Sequence, residues 1–178
     1  MNIENLHPIM VHFPIALLTI YSLLEIASLF RKVRHNRTVW YIKLFLLLVG
    51  LISIQAALTT GEAAGDAGFG VRDIIERHEK FANMSVWLYG ISAIGYVLQR
   101  FLYDGITTRR WKKVISTILH TRIQNIVVLY RRLWLSIILW IIGLVMLTIT
   151  GALGGAMVYG TEADPIVKMV IELLQISH

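Results

Sequence analysis

The chain has 178 residues and no cysteine; 56% of its residues are hydrophobic and only 16% are charged. The lack of cysteine excludes disulfides, iron–sulfur clusters, thiolate metal sites and covalently attached c-type haem. The composition lies well outside that of ordinary soluble domains, so a net charge of +6 indicates a membrane protein with basic loops and no nucleic-acid partner.

Four stretches are long and apolar enough for membrane-spanning helices, which need about 20 residues each. They cover about residues 8–30, 44–60, 81–103 and 133–153. In the first, the basic cluster RKVRHNR follows the apolar run, whereas a signal peptide has its basic region in front. The sequence therefore predicts an all-α protein, an integral membrane four-helix bundle with one domain over residues 1–178. No internal repeat is visible.

Positive charge is concentrated in two connections. Thirteen of the 17 Lys and Arg residues lie there, and because such residues gather in cytoplasmic loops, both termini are predicted outside. The first connection holds Arg31, Lys32, Arg34, Arg37 and Lys43. The second holds Arg100, Arg109, Arg110, Lys112, Lys113, Arg122, Arg131 and Arg132.

Two further segments are too polar or too short to span. Apolar residues in 104–132 recur at three- and four-residue steps between Lys and Arg. This pattern predicts a basic amphipathic helix, either on the inner leaflet or against a partner or the bundle itself. Residues 165–178 begin with a proline, which suits a helix start, and predict a short helix on the outer surface.

Small and polar residues form stripes on three of the predicted spans, which therefore should face the bundle interior. Most of these residues are expected to serve packing alone. The third span carries His78, Ala82, Ser85, Tyr89, Ser92, Tyr96 and Gln99. The fourth carries Ser136, Trp140, Gly143, Leu147, Thr150 and Gly154, and the second Gly50, Ser53, Ala57, Thr60 and Ala64.

The histidines suggest a cofactor. His35, His120 and His178 fall in loops or at the surface, whereas His7, His12 and His78 are predicted at one membrane depth near the outer face. Two histidines on facing helices of a bundle are the arrangement that ligates a haem iron. On a regular helix His7 and His12 point about 140° apart. Pro8 and Pro14 also allow an irregular start that re-aims His12, so the partner of His78 stays open between the two.

Three other features have two interpretations each. Glu25, the one acid within a span, is expected to pair with Arg31 or Lys32 at the inner interface, and the alternative is a proton-handling carboxylate. The segments TTGEAAGDAGFGVRD and GALGGAMVYGTEADP are predicted as outer loops. Their glycines either permit close approach of the backbone to a ligand or simply form turns at helix ends.

The opening HPIMVHFPIALL resembles the HPxxVHFP signature of a family of small bacterial four-helix integral membrane proteins, a domain family of unknown function. Thr60-Gly61, His78 and the closing Gly154, Gly155, Val158 and Tyr159 match that family's weaker motifs. The basic segment 104–132 and the ending TEADP depart from it. Members occur beside cytochrome-like modules, so the resemblance implies a redox role, a haem and a bacterial inner membrane.

Together these observations predict a membrane b-type haem protein for electron transfer, with a cytochrome or quinol as redox partner. Its cofactor residues would be His78, His7 or His12, Gly154, Gly155 and Tyr159. One alternative is a non-catalytic accessory subunit of a larger membrane complex. Another is a copper or zinc site that uses the same histidines with Met10, Glu62, Asp66 or Glu79. A stand-alone enzyme is less favoured than an electron-transfer or accessory subunit, and the hydrolase motifs are lacking.

Overall fold

The structure is a computed structural model that describes residues 7–66, 71–97 and 133–176. Within these ranges the chain is helical and forms no strand. The helices are α1 (His7–Ala27), α2 (Arg31–Arg34), α3 (Arg37–Asp66), α4 (Arg72–Val97), α5 (Leu133–Tyr159) and α6 (Pro165–Leu173). The predicted amphipathic helix 104–132, Gln99 and His178 lie outside the described residues.

Three described helical stretches are long and apolar enough to cross a membrane: Ile9–Ala27, Arg37–Gly61 and Ile137–Tyr159. These agree with the first, second and fourth predicted spans. The third predicted span lies in α4, whose described part does not meet the same measure of length and composition. Only residues 81–97 of that predicted span are described, and a longer described window takes in the charged residues of the first turns of α4.

The long helices form two hairpins that pack against each other. Helix α1 lies along α3, and α4 lies along α5. The hairpins are joined where α1 contacts α5 and α3 contacts α4, and α6 packs on α5. Asp164 caps α6, since its carboxylate accepts hydrogen bonds from the backbone N–H groups of Ile166 and Val167.

The predicted interior stripes are confirmed within the described residues. Ser85, Tyr89, Ser92 and Tyr96 of α4 are buried. Most described stripe positions of α3 and α5 are buried too, whereas Ser53 and Gly154 are partly buried. The outward faces are strongly apolar: Ile52 is 70% exposed and Trp87 is 73% exposed. Large apolar side chains outside and hydroxyls inside are the reverse of a soluble bundle, so this surface suits a lipid environment.

The helix ends correct two expectations. The glycine-rich segments were expected to be loops, but α3 continues to Asp66 and α5 to Tyr159. Helix α1 is regular from His7, with Pro14 inside it, so the irregular start does not occur. Proline is tolerated within a span where neighbouring helices compensate the lost hydrogen bond, and Pro14 is buried against such neighbours.

Candidate functional site

The structure brings two of the predicted histidines together. His7 in the first turn of α1 and His78 in the second turn of α4 have ring centroids 6.4 Å apart, with their ring planes at 81°. Both side chains are partly buried. Because the two rings come from different hairpins, this contact is a product of tertiary packing.

Each histidine is anchored by its Nδ1 atom to the second helix of its own hairpin. The His7 Nδ1–H group donates to the Ala57 carbonyl oxygen at 3.1 Å and lies 3.2 Å from the Thr60 hydroxyl oxygen. The His78 Nδ1–H group donates to the Thr150 carbonyl oxygen at 3.0 Å. A carbonyl can only accept, so Nδ1 carries the proton on both rings and Nε2 presents its lone pair.

Neither Nε2 atom has a hydrogen-bond partner among the described residues. A histidine that donates one N–H to a backbone carbonyl and offers its other nitrogen is the usual arrangement of a metal-ligating histidine. The site therefore has two oriented imidazole nitrogens from two helices.

Two glycines allow the rings to lie against the neighbouring backbone. A Cβ atom added to Gly61 would come within 2.9 Å of His7 Cε1, closer than real Cβ contacts. A Cβ atom added to Gly154 would lie 3.4 Å from His78 Cε1. A side chain at Gly61 would therefore force the His7 ring to shift, whereas at Gly154 an added Cβ atom would make an ordinary van der Waals contact with the His78 ring.

Burial favours the neutral form of both rings. It lowers the pKa of His7, against the opposing effect of the hydrogen bond with Ala57. It also lowers the pKa of His78, opposed by the hydrogen bond with Thr150 and reinforced by repulsion from a charged His7. Neutral imidazole is the form that binds a metal.

The other predicted site residues lie elsewhere. His12 is exposed, because on a regular helix it points about 140° away from His7. Tyr159, at the end of α5, is 80% exposed. Gly155 faces Val167 of α6. Of the predicted ligand set, the structure thus gathers His7, His78 and Gly154.

The donors expected for a copper or zinc site do not join this pair. Glu79 is exposed and Met10 is half-buried, whereas the side chains of Glu62 and Asp66 are not among those described. No group of three or more His, Asp or Glu residues that could hold a metal ion occurs in the described part of the chain.

A second polar cluster lies at the opposite end of the bundle, and it corrects the expectation for Glu25. Its carboxylate pairs with Lys43 of α3, with Nζ and Oε2 2.9 Å apart, and not with Arg31 or Lys32. The Tyr96 hydroxyl of α4 also donates to this carboxylate. The Glu25 and Lys43 side chains are 2% and 8% exposed, so the pair is buried.

Lys43 was predicted to be a cation of the first connection. That prediction was wrong, because Lys43 lies within α3 and is buried. A usable signal was present in the sequence: Lys43, Leu47, Gly50, Ile54 and Ala57 step by four, three, four and three residues. That spacing places Lys43 on the buried stripe of α3, facing the one acid of α1.

An open groove of about 270 Å³ lies between α1, α5 and α6. Ile15, Gly151, Gly155 and Ile166 are among its mostly apolar lining, and neither His7 nor His78 lines it.

No family model, curated protein or solved structure matches this chain.

Proposed function

We propose that this chain is an integral membrane protein that binds one b-type haem between His7 and His78 and takes part in electron transfer. The observation that carries the proposal is the histidine pair itself. Two neutral imidazoles from different helices meet with their Nδ1 atoms held by backbone carbonyls and their Nε2 atoms left for a ligand.

The ring centroids are 6.4 Å apart, and neither Nε2 atom has a hydrogen-bond partner among the described residues. The pair therefore fits a group that takes one imidazole nitrogen from each of two helices, and His7 and His78 would hold it. When bound, a haem supplies one-electron chemistry that no side chain of this site provides.

The chain's own residues would do three things at such a site. The carbonyls of Ala57 and Thr150 orient the rings and increase the basicity of their Nε2 atoms. Gly61 and Gly154 leave room beside the rings. Burial of His78 excludes water and favours the neutral form that can ligate.

The membrane arrangement is part of the same proposal. Helix α4 would be the fourth span of a bundle with α1, α3 and α5, because its outward face is apolar and its polar stripe is covered by the other helices. The concentration of Lys and Arg in residues 31–37 and 100–132 supports cytoplasmic ends there. The haem would then lie near the outer, periplasmic face of a bacterial inner membrane.

The resemblance to the HPxxVHFP proteins supports a redox partner, a cytochrome or a quinol. The sequence assigns no donor and no acceptor. A role as one electron-transfer subunit of a membrane assembly suits a chain in which the described residues gather two imidazoles from two helices.

The test is spectroscopic. The protein is expressed with supplemented haem, purified in detergent and examined by absorption. We expect a Soret band and a sharp α-band on reduction, with one haem per chain. His78→Ala should abolish both bands. The control is His12→Ala, which replaces an exposed histidine of the same helix as His7 and should leave both bands unchanged.

A second candidate is a non-catalytic accessory subunit of a membrane complex. It is favoured by the fact that both Nδ1 atoms already bond to neighbouring helices, which by itself stabilises a bundle. A colourless protein without bound metal would support this role. Copper or zinc in elemental analysis of a colourless protein would indicate the metal site instead.

A further inference from the structure

The contacts within the two hairpins follow one common register. His7 of α1 packs against Gly61 of α3, and His78 of α4 packs against Gly154 of α5. His78 lies 71 residues after His7, and Gly154 lies 93 residues after Gly61. A second pair of contacts has the same offsets. Leu18 packs against Gly50, and Tyr89, 71 residues after Leu18, packs against Gly143, 93 residues after Gly50.

The backbone acceptors of the two histidines and most of the buried positions follow the same two offsets. The acceptors of the two histidines, Ala57 and Thr150, are themselves 93 residues apart. The five buried residues of α1 correspond to five buried residues of α4, and five buried residues of α3 correspond to five of α5. In α1 and α4 these are Pro14, Leu18, Tyr21, Ser22, Glu25 and Ser85, Tyr89, Ser92, Ala93, Tyr96. In α3 and α5 they are Leu47, Gly50, Ile54, Ala57, Thr60 and Trp140, Gly143, Leu147, Thr150, Leu153.

The packing between the hairpins is reciprocal. Helix α1 contacts α5, and its counterpart α4 contacts α3, the counterpart of α5. Two equivalent pairs also touch each other: His7 meets His78 at one end, and Glu25 accepts a hydrogen bond from Tyr96 at the other. Contact between equivalent residues is the mark of positions on a two-fold axis.

We infer that the bundle consists of two copies of one helical hairpin about a pseudo-two-fold axis, and that His7 and His78 hold a single planar ligand, a haem, shared equally on that axis with nearly perpendicular imidazole planes. This inference rests on the proposed function and adds to it the symmetry of the site. A group bound by both His7 and His78 must lie at the contact between the two hairpin copies, and therefore on the pseudo-two-fold axis.

Few identical residues reveal the repeat. Equivalent helix positions in the two copies share His7/His78, Gly50/Gly143 and Gly61/Gly154, the residues at the contacts described above, and otherwise only a few aliphatic residues. The polar end of the axis has diverged, because Glu25 and Lys43 correspond to Tyr96 and Ser136. Hence the ion pair belongs to the first hairpin alone. At the other end the histidine rings and their backbone acceptors keep the common register, although Leu153 replaces Thr60 in the second hairpin.

The angle between the rings gives a direct measurement. Perpendicular imidazoles act equally on the two iron dπ orbitals and leave them almost degenerate, whereas parallel imidazoles split them. With the observed 81° between the planes, the oxidised holoprotein should give one highly anisotropic low-spin EPR signal with a single large g value. Three well-resolved rhombic g values, or a high-spin signal, would overturn the shared perpendicular site even though haem is bound.

Matched variants test whether His7 and His78 contribute equally to haem binding. His7→Ala and His78→Ala should each remove the low-spin spectrum and lower haem content to the same extent, and the double variant should add nothing. His7→Met and His78→Met should give the same altered spectrum and the same shift of midpoint potential. His12→Ala should match the wild type.

The outcomes separate the two proposals. Retention of the bis-imidazole spectrum in His7→Ala, with loss only in His78→Ala and His12→Ala, would refute the axis and leave the haem proposal standing. A protein that takes up no haem would overturn both.

Discussion

The buried ion pair between Glu25 and Lys43 should dominate the stability of the first hairpin. Replacing Lys43 by Met leaves the buried Glu25 carboxylate with the Tyr96 hydroxyl but no cation. At the observed 2.9 Å and an effective dielectric constant of about 20, the Coulomb attraction is about 6 kcal/mol. Desolvation offsets part of it, and removal of one partner from a buried pair typically costs about 3–5 kcal/mol.

The assay is reversible unfolding in mixed detergent micelles, followed by far-UV circular dichroism. We expect Lys43→Met to lower the free energy of unfolding by about 3–5 kcal/mol. The Glu25→Gln, Lys43→Met double variant should recover most of that loss, because it removes both charges. Lys32→Met is the matched control, an exposed cation whose loss should cost under about 0.5 kcal/mol. Equal effects of Lys43→Met and Lys32→Met would refute the reasoning.

Three further predictions concern the histidine site and the buried hydrogen bond between Tyr89 and Ser22. Gly61→Ala places a Cβ atom 2.9 Å from His7 Cε1, so haem content should fall while helicity by circular dichroism is kept; full haem content would contradict the close packing. Burial lowers the pKa of His78 from 6.5, so the unfolded chain binds the proton at higher pH than the folded one. Stability of the haem-free protein should therefore be constant above about pH 7.5 and fall as the pH drops below 6.5, and His78→Asn should weaken this dependence in detergent melts. Tyr89→Phe removes the buried 2.9 Å hydrogen bond to Ser22 and should cost about 0.5–1.5 kcal/mol in the same unfolding assay; no loss in either Tyr89→Phe or Ser22→Ala would show that the bond contributes nothing.

The sequence determined the helices and their buried faces, because both follow from short-range chemistry. Runs of apolar residues long enough to span a bilayer predict helices, and the stripe from His78 through Tyr89 to Tyr96 predicts which side of α4 is covered. Both expectations were confirmed for the described residues. The haem, the redox partner and the orientation of the termini stay predictions.

Only the tertiary structure decided which residues meet. On the sequence His7 and His12 were equal candidates, and the regular helix through Pro14 selects His7, because 140° of rotation separates the two side chains. The partner of Glu25 was likewise decided by the packing of α1 on α3, which buries Lys43. The ends of α3 and α5 were predicted wrongly, because the glycines were taken as turn residues. The structure shows that Gly61 lies within α3 and makes room for the His7 ring of a neighbouring helix.

The repeat of the two hairpins is visible in the structure and not in the sequence. Two hairpins with few identical residues keep the same buried positions, because burial constrains size and polarity far more than identity. Contacts between helices distant in sequence reveal this register, since only folding brings residues 71 and 93 positions apart into equivalent places. The sequence by itself determined that the described segments are helical and apolar, and the packing decided that His7 and His78 meet at one end of the bundle.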